Sequence, residues 1–124
     1  MTDIRQSLQA ALNINGTVGV ALGDWKTGFS LGQASTSNIF PESKLEAAIA
    51  LNAEVIKAKN RAREGLALSA EIEDILITLK DQYHLIRIAE TTPGVFFYLV
   101  MDRTKANLGL ARIKLRSIEK DLQI

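Results

Sequence analysis

The chain has 124 residues, 47% hydrophobic and 23% charged, with a formal net charge of +1. That is one domain's length with enough apolar material for a core, and so even a charge balance excludes the strong field that nucleic acid or an anionic membrane surface selects. Cysteine is absent, which removes disulfides, thiolate metal sites and cysteine nucleophiles together and is compatible with a cytoplasmic home.

The opening MTDIRQSLQAAL is polar and amphipathic, without the apolar stretch of a secretory leader. Thr2 or Asp3 can cap a first helix, Asp3 and Gln6 have capping-box spacing, and Ile4, Leu8, Ala11 and Leu12 share one face. Gly16 ends it. In TVGVAL the bulky Val18, Val20 and Leu22 alternate with Thr17, Gly19 and Ala21. The small face suits a strand with another element lying close against it. GDWKTG then turns, and FSLG follows as a short partner strand, completing a hairpin.

After a polar loop (QASTSN), Ser43 and Glu46 have capping-box spacing at the start of the longest helix. Leu45, Ala48, Ile49, Asn52, Val55 and Ile56 form its stripe, interrupted only by Asn52, and Gly65 is the expected C-cap. Two strand-like runs follow, EIEDILITLKD and YHLIRIAE, separated by tight polar breaks. The run VFFYLVMD is continuously apolar in its first part, which predicts a central strand covered on both faces but is too short to span a bilayer. Thr104 is placed to cap a last helix, whose stripe is Leu108, Ala111, Leu115, Ile118 and Leu122, widened by Leu110 and Ile113. Gly109 lies early in that helix, where it costs about 1 kcal/mol relative to Ala unless a close backbone approach requires it. The elements read helix, two strands, helix, three strands, helix. They predict an α/β (α+β) domain with a five-stranded antiparallel sheet and helices on both faces.

Tests for chemistry come back empty. Gly23 and Gly28 have phosphate-loop spacing, but Phe29 and Ser30 stand where Lys and Ser or Thr are required, and a strand follows instead of a helix. Lys26-Thr27-Gly28 and the Ser117 to Lys120 stretch match fragments of penicillin-binding signatures in reversed order, by chance. His84 is the only histidine and alternates with Ile86 and Ile88, which predicts a structural or edge position. Glu71, Glu73 and Asp74 sit where acidic residues guard an edge strand against mispairing. The chain is not expected to be an enzyme, and no cofactor or metal is expected.

The element order, the ANLGLAR segment (Ala106 to Arg112), the FPESKLEAA start of the long helix and the NGTVGVAL opening strand resemble the roadblock family. This is the family of dynein light chain roadblock and its bacterial relatives, related in fold to longin and profilin-like domains. The resemblance runs over roughly residues 3 to 122. It implies one roadblock-type domain over residues 1–124 that pairs with a second copy through the third-strand edge and the long helices. It also implies a protein that binds proteins, since bacterial relatives often accompany small Ras-like GTPases and others are scaffolds in motor or signalling complexes. Trp25 is a departure, standing in a turn that is usually polar.

On the residues alone, Ile75 to Leu79 offers a β-branched and aliphatic edge with little protection, and closed twofold dimers are the commonest oligomers. The expected homodimer interface is Ile72, Ile75, Ile77 and Leu79 on the strand with Leu45, Ile49, Asn52 and Ile56 on the long helix. Lys57, Lys59, Arg61 and Arg63 crowd the end of that helix, where they offset its negative terminus or contact a partner. Trp25 either folds back onto the sheet or stands out as an interface anchor. Trp25, Lys57, Lys59 and Arg61 are the candidate partner-binding residues.

The expected function is a dimeric, non-enzymatic regulator or scaffold acting on a small Ras-like GTPase in the cytoplasm. The alternatives are a ligand-binding sensory module of profilin-like fold, or a structural subunit of a larger complex. A sensor needs a cavity between sheet and helix, whereas Ala47, Ala48, Ala50 and Ala53 favour close packing.

Overall fold

The computed structural model describes residues 1–124 and places α1 (Ile4–Leu12), β1 (Thr17–Asp24), β2 (Ser30–Ser35), α2 (Glu42–Gly65), β3 (Asp74–Thr78), β4 (Gln82–Ile88), β5 (Val95–Asp102) and α3 (Leu108–Asp121) along the chain. The element order is the expected one. The strands form one sheet in the order β2-β1-β5-β4-β3, with every neighbouring pair antiparallel. The apolar run VFFYLV is the central strand, and all its residues are buried because helices cover both of its faces.

The core has two layers. On one face α1 and α3 bring Leu8, Ala11, Ala111 and Leu115 onto Val20, Leu22, Phe97, Leu99 and Met101. On the other, α2 brings Leu45, Ile49, Ala53 and Ile56 onto Ala21, Ile86, Phe96, Tyr98 and Val100. The small face of β1 explains how close α2 lies. A Cβ on Gly23 would stand 2.5 Å from Ile49 Cγ2, and one on Gly19 would stand 3.1 Å from Leu45 Cδ1. Val18 leaves the expected alternation, because a register shift between Thr17 and Gly19 turns it to the α2 side.

Helix ends agree with the sequence only in part. Asp3 caps α1 through a complete capping box, with Gln6 N–H donating to Asp3 Oδ1 at 2.8 Å and Asp3 N–H donating to Gln6 Oε1 at 3.0 Å. The expected box at Ser43 does not form, since Ser43 already lies inside α2 and Pro41 takes the cap position without a side-chain bond. At the other end the left-handed residue is Ala67, at φ 56°, not Gly65. Helix α3 starts later than Thr104, with Asn107 as its cap accepting from Leu110 N–H at 3.0 Å. Thr104 instead donates from backbone and hydroxyl to Asp102 Oδ1, and those two bonds hold the Asp102 carboxyl below its ordinary pKa. Strand β2 is longer than FSLG and shifted, leaving Phe29 exposed and taking in Gln33, Ala34 and Ser35.

The close approach expected at Gly109 belongs to another glycine. A Cβ on Gly109 would meet only Asn107 Oδ1 at 3.8 Å, and its neighbours Leu110 and Ile113 are exposed rather than part of the buried stripe. Gly16, at φ +87°, is the tight point. A Cβ there would lie 2.8 Å from Ala106 Cα, and Asp102 N–H donates to Gly16 O at 2.7 Å just where the chain turns back onto the sheet.

Candidate functional site

Strand β3 is an edge of the sheet. Ile88 N–H donates to Glu73 O and Leu79 N–H to Gln82 O, and the β3–β4 register alternates between these ends. Antiparallel geometry therefore turns the N–H and C=O groups of Asp74, Leu76 and Thr78 away from β4, toward open solvent. Ile75 and Ile77 point to the α2 face and are half-buried there, Leu76 points to the opposite layer, and Leu79 lies just past the strand. Ile72 precedes it, half-buried.

The helix residues expected beside this edge divide. Leu45, Ile49 and Ile56 are 0% exposed, spent entirely on the chain's own core, which removes them from any surface a second copy can touch. Asn52 is half-buried over the sheet, donating from Nδ2 to Ala48 O at 2.9 Å. The outward face of α2 carries a second stripe that the buried one masked in the sequence. It comprises Ala47, Leu51, Val55, Ala58 and Ala62, at steps of four, four, three and four residues, all exposed, with Leu51 at 71%.

Asn52 breaks the apolar stripe for a visible reason. Below it Tyr98 hydroxyl and His84 Nδ1 are 2.9 Å apart, and His84 Nε2 lies 2.9 Å from Gln82 Oε1. Burial pushes the Tyr98 hydroxyl up to about 12, against the opposing effect of Asn52. The hydroxyl is thus the donor, His84 Nδ1 the acceptor, and Nε2 carries the proton that Gln82 accepts, an assignment made from the partners. Burial lowers the His84 pKa, partly countered by the Asp81 charge. Phe40 closes the cluster with its ring 5.7 Å from the imidazole, edge to face.

The second surface is a cleft of about 570 Å³ where the C-terminal half of α2 overhangs the segment leading into β3, the end of β4 and the β1–β2 and β4–β5 turns. It brings together Trp25, Lys57 and Arg61, three of the four residues singled out from the sequence, and excludes Lys59. The hairpin tip is held from below, with Trp25 N–H donating to Gly94 O at 2.9 Å and Asp24 Oδ1 accepting from Lys26 N–H at 2.8 Å. Trp25 is half-buried against the α2 layer, between the two expected positions, and its indole Nε1 is buried with no acceptor.

Arg103, Arg112 and Arg116 are committed to contacts within the chain. Arg112 grips Asp74 with two bonds of 3.0 and 3.2 Å, and Arg116 reaches Glu73 at 3.5 Å, so these two edge carboxylates tie β3 to α3. Arg103 donates to Leu79 O and lies over the Tyr83 ring. No group of three or more histidine, aspartate or glutamate side chains is arranged to hold a metal ion, and no helix is long and apolar enough to cross a membrane.

Compared by sequence, the chain matches no protein-family model and no curated protein. Compared by structure, it is similar to a Roadblock/LC7 domain from Streptomyces avermitilis, with a TM-score of 0.79 at 12% identity over 96% of this chain and 93% of that one. It is similar to MglB of Myxococcus xanthus, with a TM-score of 0.72 at 15% identity over 93% of this chain and 77% of the other. The gliding protein MglB of Thermus thermophilus gives 0.71 at 21% identity, over 94% and 88%. The fold is therefore the roadblock/LC7 fold, related to longin domains, reached by a sequence far from these relatives.

Proposed function

We propose that residues 1–124 are a single roadblock-type domain that forms a homodimer and serves as a non-enzymatic regulator or scaffold for a small Ras-like GTPase in the cytoplasm. Two observations carry the dimer: the open edge of β3, and the exposed Ala47–Leu51–Val55–Ala58–Ala62 ridge of α2. Twofold pairing of β3 extends the sheet across two chains and removes an edge that otherwise invites uncontrolled association. The same axis runs the two α2 helices antiparallel. Helix α2 carries Glu42 and Glu46 in its first turns and Lys57, Lys59, Arg61 and Arg63 in its last ones, so antiparallel neighbours meet with opposite charge. Within the interface, Ile72, Ile75, Ile77 and Leu79 border the strand and Asn52 borders the helix. The GTPase link is supported by the fold shared with MglB and by the habit of bacterial roadblock relatives to accompany such partners.

Light scattering tests the dimer. Leu51→Glu adds a charge at a solvent-exposed position of the monomer, so it halves the measured mass if α2 faces its counterpart, and an unchanged mass sinks the arrangement. Affinity capture from the cell of origin, with GTP analogue or GDP present, tests the regulator. A Ras-like GTPase recovered in one nucleotide state supports it, and recovery of only self or of a large assembly moves the function to scaffold.

A further inference from the structure

We propose that the connector between α2 and β3 is a processing site for an endopeptidase that takes a small apolar residue before the cut, with the Ala70–Glu71 peptide bond as its substrate. The site lies within one chain and stands whether or not the domain dimerises. A peptidase binds the segment it cuts as an extended strand, through that segment's own N–H and C=O groups, so those groups must be free. From Ser69 to Ile72 no main-chain N–H or C=O finds a main-chain partner, and Ser69, Ala70 and Glu71 are exposed. The free stretch has fixed ends. Leu68 N–H donates to Arg63 O at 3.0 Å and Arg63 Nη1 donates back to Leu68 O at 3.0 Å, while Ile88 N–H donates to Glu73 O at 3.1 Å. Ala70–Glu71 is the middle bond between them.

Other connections are tied down. Asp24 N–H donates to Phe29 O across the β1–β2 turn, Ser35 Oγ donates to Phe40 O ahead of α2, and Ala89 N–H donates to Val95 O around the β4–β5 turn. Phe29 is 72% exposed, so an exposed side chain does not set the connector apart, whereas its unbonded backbone does. Hydrolysis adds water across the bond, the hydroxyl to the Ala70 carbonyl carbon and the hydrogen to the Glu71 nitrogen, and leaves a carboxylate and an amine. The two pieces stay together. Leu45, Ile49, Ala53 and Ile56 hold α2 in the core, and β3 keeps its ladder with β4 and its ion pairs from Arg112 to Asp74 and from Arg116 to Glu73. The cut therefore uncouples α2 from the sheet edge without removing either.

The probe is pancreatic elastase, whose primary pocket is small, applied briefly to the folded chain with the products identified by intact mass. A first cut after Ala70 is expected, giving residues 1–70 and 71–124 that elute together and melt in one transition. Ala10, Ala50 and Ala58 are exposed alanines within helices, and cuts after them should be at least about tenfold slower, because the helix must open first. Ala70→Lys should slow the first cut about tenfold or more, while Ala70→Val, still small and apolar, should be cut nearly as the parent is. A first cut at any other bond, equal rates for Ala70→Lys and the parent, or pieces that separate on a sizing column overturns the proposal. The Leu51→Glu chain should be cut as fast as the parent, and a faster cut there would place the connector beneath a second copy and refute a free site.

Discussion

Arg87 Nη2 donates to Glu119 Oε1 across 3.3 Å, joining β4 to the last turns of α3 where the two residues are 3% and 1% exposed. Glu119 also accepts from the Glu90 N–H at 3.0 Å and the Thr91 hydroxyl at 2.7 Å, so one carboxylate fastens the β4–β5 turn to the helix. Burial pushes this carboxyl up, but the Glu90, Thr91 and Arg87 donors outweigh it and hold it below 4.5. Glu119→Ala strips Arg87 of its buried counter-charge and should destabilise the fold by about 3–5 kcal/mol, whereas replacing both residues by apolar ones should be far milder. Urea unfolding of the single and double variants measures the difference.

The same carboxylate sets an acid limit. A glutamate whose folded pKa lies below its unfolded value contributes stability above about 4.5, and that contribution disappears as pH falls through the folded value. The parent should therefore lose stability more steeply than Glu119→Gln as pH drops below about 4.5. Parallel curves for the two proteins would show that Glu119 is not the titrating group.

The His84–Tyr98 contact gives a second pH window with a similar sense. The lowered His84 pKa means the folded state favours the neutral ring, so stability is full above 6.5 and falls as pH drops through the folded value. Protonation at Nδ1 turns the acceptor of the Tyr98 hydroxyl into a donor and breaks that contact. Replacing His84 by Gln should flatten the melting temperature as pH falls below 6.5, a change that thermal scans at stepped pH read directly.

The pattern of the sequence carried the architecture further than it carried the surfaces. VFFYLV reads as central because continuous apolarity has few other uses, and β3 reads as an edge from its acidic flank. The burial of three of the expected α2 residues has a physical reason. The helix has two stripes, and the larger residues, Leu45, Ile49 and Ile56, are drawn into the chain's own core, leaving the alanine-rich one outside. Trp25, Lys57 and Arg61 were visible one at a time, but only the overhang of α2 above the hairpins puts them in one cleft. Arg87 and Glu119 were missed because residues 32 apart carry no local spacing signal.

Two glycines should respond in opposite directions to alanine. Gly109 has open space around its Cβ position and sits in the first turn of α3, so Gly109→Ala should be neutral to stabilising, by up to about 1 kcal/mol. Gly16 is left-handed and pressed against the Ala106 backbone, so Gly16→Ala strains φ and collides at once, costing more than about 1 kcal/mol. Thermal midpoints of the two variants decide it. A destabilised Gly109→Ala would mean that α3 meets another chain at that point.

The β3 edge makes the sharpest claim about assembly. Its outward amides belong to Asp74, Leu76 and Thr78, while those of Ile75 and Ile77 are turned to β4. In a monomer the first set exchanges with solvent freely and the second is protected by the ladder. Twofold β3 pairing centred near Leu76 closes the outward Leu76 amide into a new hydrogen bond, so its exchange must slow as protein concentration rises. Leu51→Glu should return it to fast exchange without touching Ile75 or Ile77. Hydrogen exchange followed residue by residue separates this from dimerisation through α2 alone, in which Leu76 stays fast at every concentration while the measured mass still doubles.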